Sequence, residues 1–243
     1  GKAGVLHFES AVGCVVEDCS FTNLGKYAVC FVGGEGNRVI GCDISDSAEG
    51  GILVIGSARN VISDNHIHHC GAVYKHIGGV VLCEAGSDDN TVAHNFIHDV
   101  SRYGITLKNP GGRNVIEFNR IERTNLETYD TGGIEVTQHD LEFRSGSVIR
   151  NNIVLDTVGY SSNGPNPVFM SWGIYLDSYA SGYTVTNNIT ARNSHGGIML
   201  QGGKDNAIIN NIFVDGEYRQ GSISNFAGNS TGLVVERNIF AWS

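Results

Sequence analysis

The chain has 243 residues, of which 33 are Gly, 3 are Pro and 23 are Asn, and only 17% are charged. Ordinary chains carry about 7% Gly and about 25% charge, and good helix formers are scarce here, which excludes an α-helical protein. A formal charge of −9 excludes the basic surface a nucleic-acid partner needs, and no apolar run reaches the roughly 18 to 20 residues of a membrane span.

The chain opens as Gly1-Lys2-Ala3-Gly4 and passes straight into the strand-like Val5-Leu6-His7-Phe8, without a signal-type segment. The expectation is one domain over residues 1–243, the core of a longer protein. Further along, one phrase recurs: Asn, two apolar residues, two polar residues, Asn, any residue, apolar. It reads Asn60-Val61-Ile62-Ser63-Asp64-Asn65-His66-Ile67, then Asn114-Val115-Ile116-Glu117-Phe118-Asn119-Arg120-Ile121, then Asn206-Ala207-Ile208-Ile209-Asn210-Asn211-Ile212-Phe213. Aligned, the copies place Cys19, Cys42, Asn65, Asn95, Asn119, Asn152, Asn188, Asn211 and Asn238 in one column. The shortest spacing, 23 residues, is the base period, and longer ones are insertions into it.

A second phrase falls between the copies of the first, as in Gly51-Ile52-Leu53-Val54, Gly104-Ile105-Thr106-Leu107, Gly133-Ile134-Glu135-Val136 and Gly173-Ile174-Tyr175-Leu176. Each is a short strand with apolar residues at a period of two, and its Gly is expected to supply backbone freedom at the corner. Short strands at a fixed period without helical segments describe an all-β, single-stranded parallel β-helix of about nine coils. Each coil buries its apolar face only by stacking on its neighbours. An Asn column at one corner satisfies the buried polar groups of the turns, and Cys19 and Cys42 continue it as small buried residues. The six cysteines show no CxxC and no metal-type spacing. His66, His68, His69, His94 and His98 show no HxH or HExxH geometry that argues for a ligand set, with His66 and His94 read as outward strand residues, so no metal is expected.

Three coils are longer than the rest between the Asn column and the next Gly: Asn65 to Gly79, Asn119 to Gly133 and Asn152 to Gly173. Their insertions leave from one corner and are expected to stack into the wall of a groove. They read His68-His69-Cys70-Gly71-Ala72-Val73-Tyr74-Lys75-His76, then Leu126-Glu127-Thr128-Tyr129-Asp130-Thr131, then the segment from Gly159-Tyr160 through Pro167. Beside them the second strand's outward residues are Leu53, Val81, Thr106, Glu135, Tyr175 and Met199, followed two positions on by Ile55, Cys83, Lys108, Thr137, Asp177 and Gln201. That outer face is apolar early in the chain and polar in the middle.

Glu135 and Asp177 are expected on adjacent coils, offset by two positions, with Cβ atoms roughly 8 Å apart from a rise of about 3.3 Å and a strand spacing of about 4.8 Å. Asp130 stands just before the same strand. Carboxylates at such separations are the acid/base pairs of glycosidases, and their mutual repulsion raises one pKa. The candidate catalytic residues are therefore Asp130, Glu135 and Asp177. The candidate sugar contacts are Lys75, His76, Lys108, Tyr129, His139, Trp172, Tyr175 and Gln201, with Trp172 and Tyr175 as stacking surfaces.

The stretches Leu126-Glu127-Thr128-Tyr129-Asp130-Thr131-Gly132-Gly133-Ile134 and Trp172-Gly173-Ile174-Tyr175-Leu176-Asp177-Ser178-Tyr179 resemble right-handed parallel β-helix proteins related to glycoside hydrolase family 141. His66-Ile67-His68-His69 and Gly202-Gly203-Lys204-Asp205-Asn206 fit the same pattern. The resemblance implies a secreted or periplasmic, bacterial-type enzyme that breaks down plant cell-wall or related polysaccharides with two acidic residues, without a cofactor. It assigns the pair to Asp130 and Asp177. Glu135 departs from the pattern, since a Tyr is expected there.

Two other function classes fit the same fold. A lyase or epimerase on uronic-acid chains would use Lys108 as base, with Arg or Ca²⁺ neutralising the substrate carboxylate, and no Arg is expected beside Lys108. A non-catalytic glycan-binding solenoid would bind without turnover.

Overall fold

A computed structural model describes residues 4–160 and 170–243. The chain winds through three parallel sheets, each of nine strands among the described residues, and visits them in the same order on every coil. The first sheet includes Ile52–Ile55, Gly78–Cys83, Tyr103–Lys108, Thr131–Thr137, Ser171–Asp177 and Gly196–Gln201. The second is built of three-residue strands such as Val61–Ser63 and Val115–Glu117. The third includes Asp43–Ser47, His66–Cys70, Phe96–His98 and Arg120–Glu122. The expected solenoid of about nine coils is the fold observed, and no α-helix occurs among the described residues.

Stacking in register explains why such short strands persist. Ile52, Val80, Ile105, Ile134, Ile174 and Ile198 pair coil by coil in the first sheet. Ile62, Val92 and Ile116 do the same in the second sheet, and Ile67, Ile97 and Ile121 in the third. All of these are buried, in one continuous core. β-Branched side chains fit this half-buried pleat.

Between the second and third sheets the Asn column forms a ladder. Asn95 donates its side-chain N–H groups to Asn119 Oδ1 at 2.9 Å and to the carbonyls of Ile62 and Ala93, both at 3.0 Å. Its own Oδ1 accepts from the backbone and side-chain N–H of Asn65 at 3.1 and 2.9 Å. The rungs continue through Asn152, Asn188 and Asn211 to Asn238. A second ladder of Asn37, Asn60, Asn90 and Asn114 runs at the corner between the first and second sheets. It uses the leading Asn of the recurring phrase, whose role the sequence reading did not separate from the other. Cys42 is buried as expected, whereas Cys19, on the first coil among the described residues, is exposed.

The glycine column has a different cause from the one its sequence position suggests. Gly79, Gly104, Gly133 and Gly173 do not have positive φ. A Cβ on Gly133 would lie 2.5 Å from Val154 Cγ1, so the constraint is close approach of the third sheet across a narrow coil.

The long segments after Cys70, Glu122 and Leu155 all leave the third sheet at the corner where the chain re-enters the first. Lys75 of one bonds Glu127 of the next at 2.9 Å, and the Tyr160 N–H bonds the Thr128 carbonyl at 2.7 Å, so the three stack. Residues 161–167 of the third insertion lie outside the described residues.

Candidate active site

The sheet register places the carboxylates where the sequence spacing put them. Glu135 pairs with Tyr175 and Thr137 with Asp177 on the next coil, which gives the expected offset of two, and Lys108 pairs with Thr137 on the coil before. Asp130 holds a left-handed backbone conformation, φ 54°, at the entrance to Thr131–Thr137. This turn brings its carboxylate over the next strand, where Oδ1 accepts from the Tyr175 hydroxyl at 3.3 Å. The same hydroxyl lies against Asp177 and against Gln201 Oε1, which competes with Asp130 for its one hydrogen. Burial, and then the charge of Asp177, raises the Asp130 pKa above the ordinary carboxyl value. The Tyr175 hydrogen bond, Arg102 and Lys108 oppose that rise.

Glu135 has a different setting. Expected on an outward, solvated row, it is 2% exposed, as the whole row from Leu53 to Met199 is buried under neighbouring side chains. Its Oε1 accepts from Lys108 Nζ at 2.6 Å and from Thr137 Oγ1 at 2.9 Å. Burial pushes the Glu135 carboxyl pKa up while Lys108 holds it down. The Lys108 ammonium also donates to Thr137 Oγ1 and to the Tyr103 hydroxyl, both at 3.0 Å, and sits 4.3 Å from the centre of the Tyr103 ring.

Arg102 and Tyr103 are the residues the sequence reading missed. The Arg102 guanidinium lies 4.6 Å from the Tyr103 ring centre, opposite in role to the expectation that no Arg stands beside Lys108. It donates to the carbonyls of Asp130 at 3.1 Å and Tyr129 at 3.5 Å, which ties the second insertion to the regular coil before it. The signal was the Arg-Tyr pair immediately before Gly104, on a coil without an insertion. His76 approaches the Tyr103 hydroxyl at 3.4 Å, and its pKa is pushed down to about 4 by burial, then by Arg102 and Lys108.

The remaining expected contacts divide. Lys75 is held by Glu127 and by the carbonyls of Gly71 and Ala72, as a staple between loops. His139 stands past the end of Thr131–Thr137, where its backbone N–H bonds Asn109 Oδ1 at 2.9 Å. Trp172 and Tyr175 are not stacking surfaces: their rings are 2% and 1% exposed, and Trp172 packs against His195 at 4.6 Å. Both rings were read as open because the neighbours that cover them come from other coils. Among the described residues, the exposed aromatics on the long segments are instead Tyr74, Tyr129 and Tyr160. Tyr129, Asp130, Arg102 and Tyr160 line one recess, and Tyr74, Lys75, His76 and Leu53 line another.

A coil of parallel strands around one core, with a polar cluster on the outside of its first sheet, is the architecture of the right-handed β-helix proteins. Residues 3–164 match the family model described as the right-handed β-helix region, and the chain belongs to that family. No curated protein matches the sequence. Among solved structures, the chain is similar to the periplasmic alginate epimerase AlgG, with a TM-score of 0.71 and 14% identity over 93% of this chain and 50% of that one. It is also similar to a glycoside hydrolase, TM-score 0.65 and 19% identity over 97% of this chain and 38% of that one. A third is the catalytic domain of a GH87 α-1,3-glucanase in complex with nigerose, TM-score 0.54 and 14% identity over 97% and 52%. The chain thus spans about half or less of the length of the structures it matches, and at these identities the likeness is one of fold.

Proposed function

We propose that the chain is the β-helical core of a secreted or periplasmic enzyme that hydrolyses glycosidic bonds in plant cell-wall or related polysaccharides, in the manner of glycoside hydrolase family 141. The observation that carries this reading is the Tyr175 hydroxyl flanked by Asp130 and Asp177, two carboxylates from adjacent coils at the foot of the loop wall. Asp130, with its raised pKa, is the proton donor to the leaving oxygen. Asp177 is the partner carboxylate that activates water or attacks the anomeric carbon. Glu135 is a positioning residue: buried beneath the surface, it fixes Lys108, whose ammonium also bonds Thr137 and Tyr103. Tyr74, Tyr129 and Tyr160 offer ring faces for sugars, Gln201 orients the Tyr175 hydroxyl, and Lys75 joins the loops that carry the Tyr residues.

The test is incubation of the chain with a panel of neutral plant-glycan oligosaccharides, reading new reducing ends and products. Hydrolysis that is lost in Asp130→Asn is expected. Turnover equal in the variant and the parent contradicts the assignment.

One observation favours a second reading. Arg102 and Lys108 both lie against Tyr103, whose hydroxyl also meets His76. Two cations and a phenol in one place suit a uronate: the cations neutralise its carboxylate, and Tyr103 or Lys108 moves the proton at C5. The cationic pair already supplies the charge that Ca²⁺ would bring, and its repulsion does not fit an added cation. On polyuronates this reading expects an ultraviolet-absorbing unsaturated product, or inversion at C5 without cleavage. Neither is expected of hydrolysis.

A further inference from the structure

Away from the carboxylate cluster, the outer face of the third sheet gathers histidines from two coils beside an aspartate from a third. Asp43 and His66 are register partners on neighbouring strands, and Ser45 and His68 are the next outward pair, so Asp43, His66 and His68 project together from rigid sheet. Asp43 Oδ1 lies 3.0 Å from His66 Nδ1 and 3.5 Å from His68 Nε2, and the three ligand atoms fall within 4.8 Å of one another. Donors around a tetrahedral Zn²⁺, with bonds of about 2.0–2.1 Å, stand roughly 3.3–3.4 Å apart. Both measured separations bracket that value.

Hydrogen accounting leaves room for a cation at this point. Beyond His66, the chain of contacts continues from His66 Nε2 to His98 Nε2 at 2.8 Å and from His98 Nδ1 to Asp99 Oδ2 at 2.6 Å. Asp99 is itself held by Arg123 through two bonds of 2.9 Å. Between Asp43 and Asp99 there are three close contacts, and each needs a hydrogen or a cation between its electron pairs. Two neutral imidazoles supply only two hydrogens. With those on His98 Nδ1 and His66 Nε2, the His66 Nδ1 lone pair faces the Asp43 carboxylate, a contact that either a third proton or a metal ion completes. His68 fits the same scheme, with Nε2 toward Asp43 and Nδ1 against His69 Nδ1 at 2.7 Å. Both ligand histidines then donate their other N–H to a second histidine, the outer-shell support that orients metal ligands.

We propose that Asp43, His66 and His68 bind one first-row divalent transition metal, with Zn²⁺ the best fit to two imidazoles and a carboxylate. The Asp43 and His66 side chains are about half exposed, at 54% and 44%, so the fourth position opens to solvent and takes water. The site joins two coils, with His98 reaching it from a third. It is separate from the proposed hydrolytic pair on the first sheet and does not depend on that assignment.

The test uses the untagged chain, stripped with EDTA and titrated with ZnCl₂ by calorimetry, with Co²⁺ as a spectroscopic probe. One Zn²⁺ per chain is expected, and Co²⁺ is expected to give the strong visible bands of a four-coordinate site. Asp43→Asn and His68→Ala are expected to weaken Zn²⁺ at least tenfold, and His98→Gln roughly 10–100-fold as a lost outer-shell partner. His94→Ala leaves binding unchanged, because His94 sits on a left-handed corner rather than a strand and stacks on Phe118 at 5.0 Å. Absence of saturable one-to-one binding, or full binding retained in both Asp43→Asn and His68→Ala, overturns the proposal. A Co²⁺ spectrum of the hydrated ion, or one with a thiolate charge-transfer band, overturns it in the unsubstituted chain, whatever the variants' folding.

Discussion

Two regions of the coil bury polar side chains, and they treat them in opposite ways. In the Asn ladder each rung is bonded above, below and to the backbone, as Asn95 is to Asn65, Asn119 and Ile62. On the outside of the first sheet, Glu135 Oε2, Thr106 Oγ1 and Trp172 Nε1 are buried and find no partner among the described residues. Buried polar groups are normally paired, and exceptions call for a reason. The ladder's polar groups serve the fold. Those beside Lys108, Asp130 and Asp177 are held in an incompletely satisfied cluster, the condition in which charges retain the capacity to act on a ligand.

The contrast can be broken most strongly at Lys108. Lys108→Met leaves Glu135 as an unpaired buried carboxylate, and a loss of about 3–5 kcal/mol in stability is expected by denaturant unfolding. Adding Glu135→Gln to that variant recovers most of the loss, because the charge is gone. If the single variant is as stable as the parent, the pair is not the buried contact described.

In the ladder, Asn119→Ala strands the donors of Asn95 and the carbonyl of Val92. The expected cost is about 2–4 kcal/mol, with hydrolysis of the residual folded protein unchanged. A combined loss of stability and intrinsic turnover would show that the two regions are not separable.

Tyr175→Phe keeps the buried ring and removes the hydroxyl between Asp130 and Gln201. About a tenfold fall in kcat, worth about 1.4 kcal/mol, is expected at an unchanged melting temperature. An unchanged kcat would mean that the hydroxyl does not set the carboxylates.

The smallest effect is on pH dependence. The folded-state pKa of Asp130 is raised above its ordinary value of 3.8. Its favourable contribution is therefore fully present below that value and is lost as pH rises through the higher folded value. Relative to Asp130→Asn, the parent chain gains melting temperature on acidification through this window. Parallel curves for the two proteins would contradict the raised pKa.

Much of this was legible in the sequence because a solenoid repeats its physics. The spacing of Asn65, Asn95 and Asn119 carries the coil length, and the offset of Glu135 from Asp177 follows from strand register once the coils are aligned. What could not be read were the contacts made across coils by long side chains. Arg102 reaches the carbonyls of a later insertion, His195 covers Trp172, and Glu135 sinks beneath Lys108. None of these depends on the period of the pattern. The histidine cluster was hidden for the same reason, since Asp43, His66 and His98 lie on three successive coils of the third sheet.

The account stands most directly on Asp177. Purified Asp177→Asn, matched to the parent in melting temperature, should release reducing ends from the best glycan substrate about 10³-fold more slowly, within the range for loss of an acid/base group. Turnover at the parental rate would contradict the carboxylate pair and the hydrolytic reading built on it.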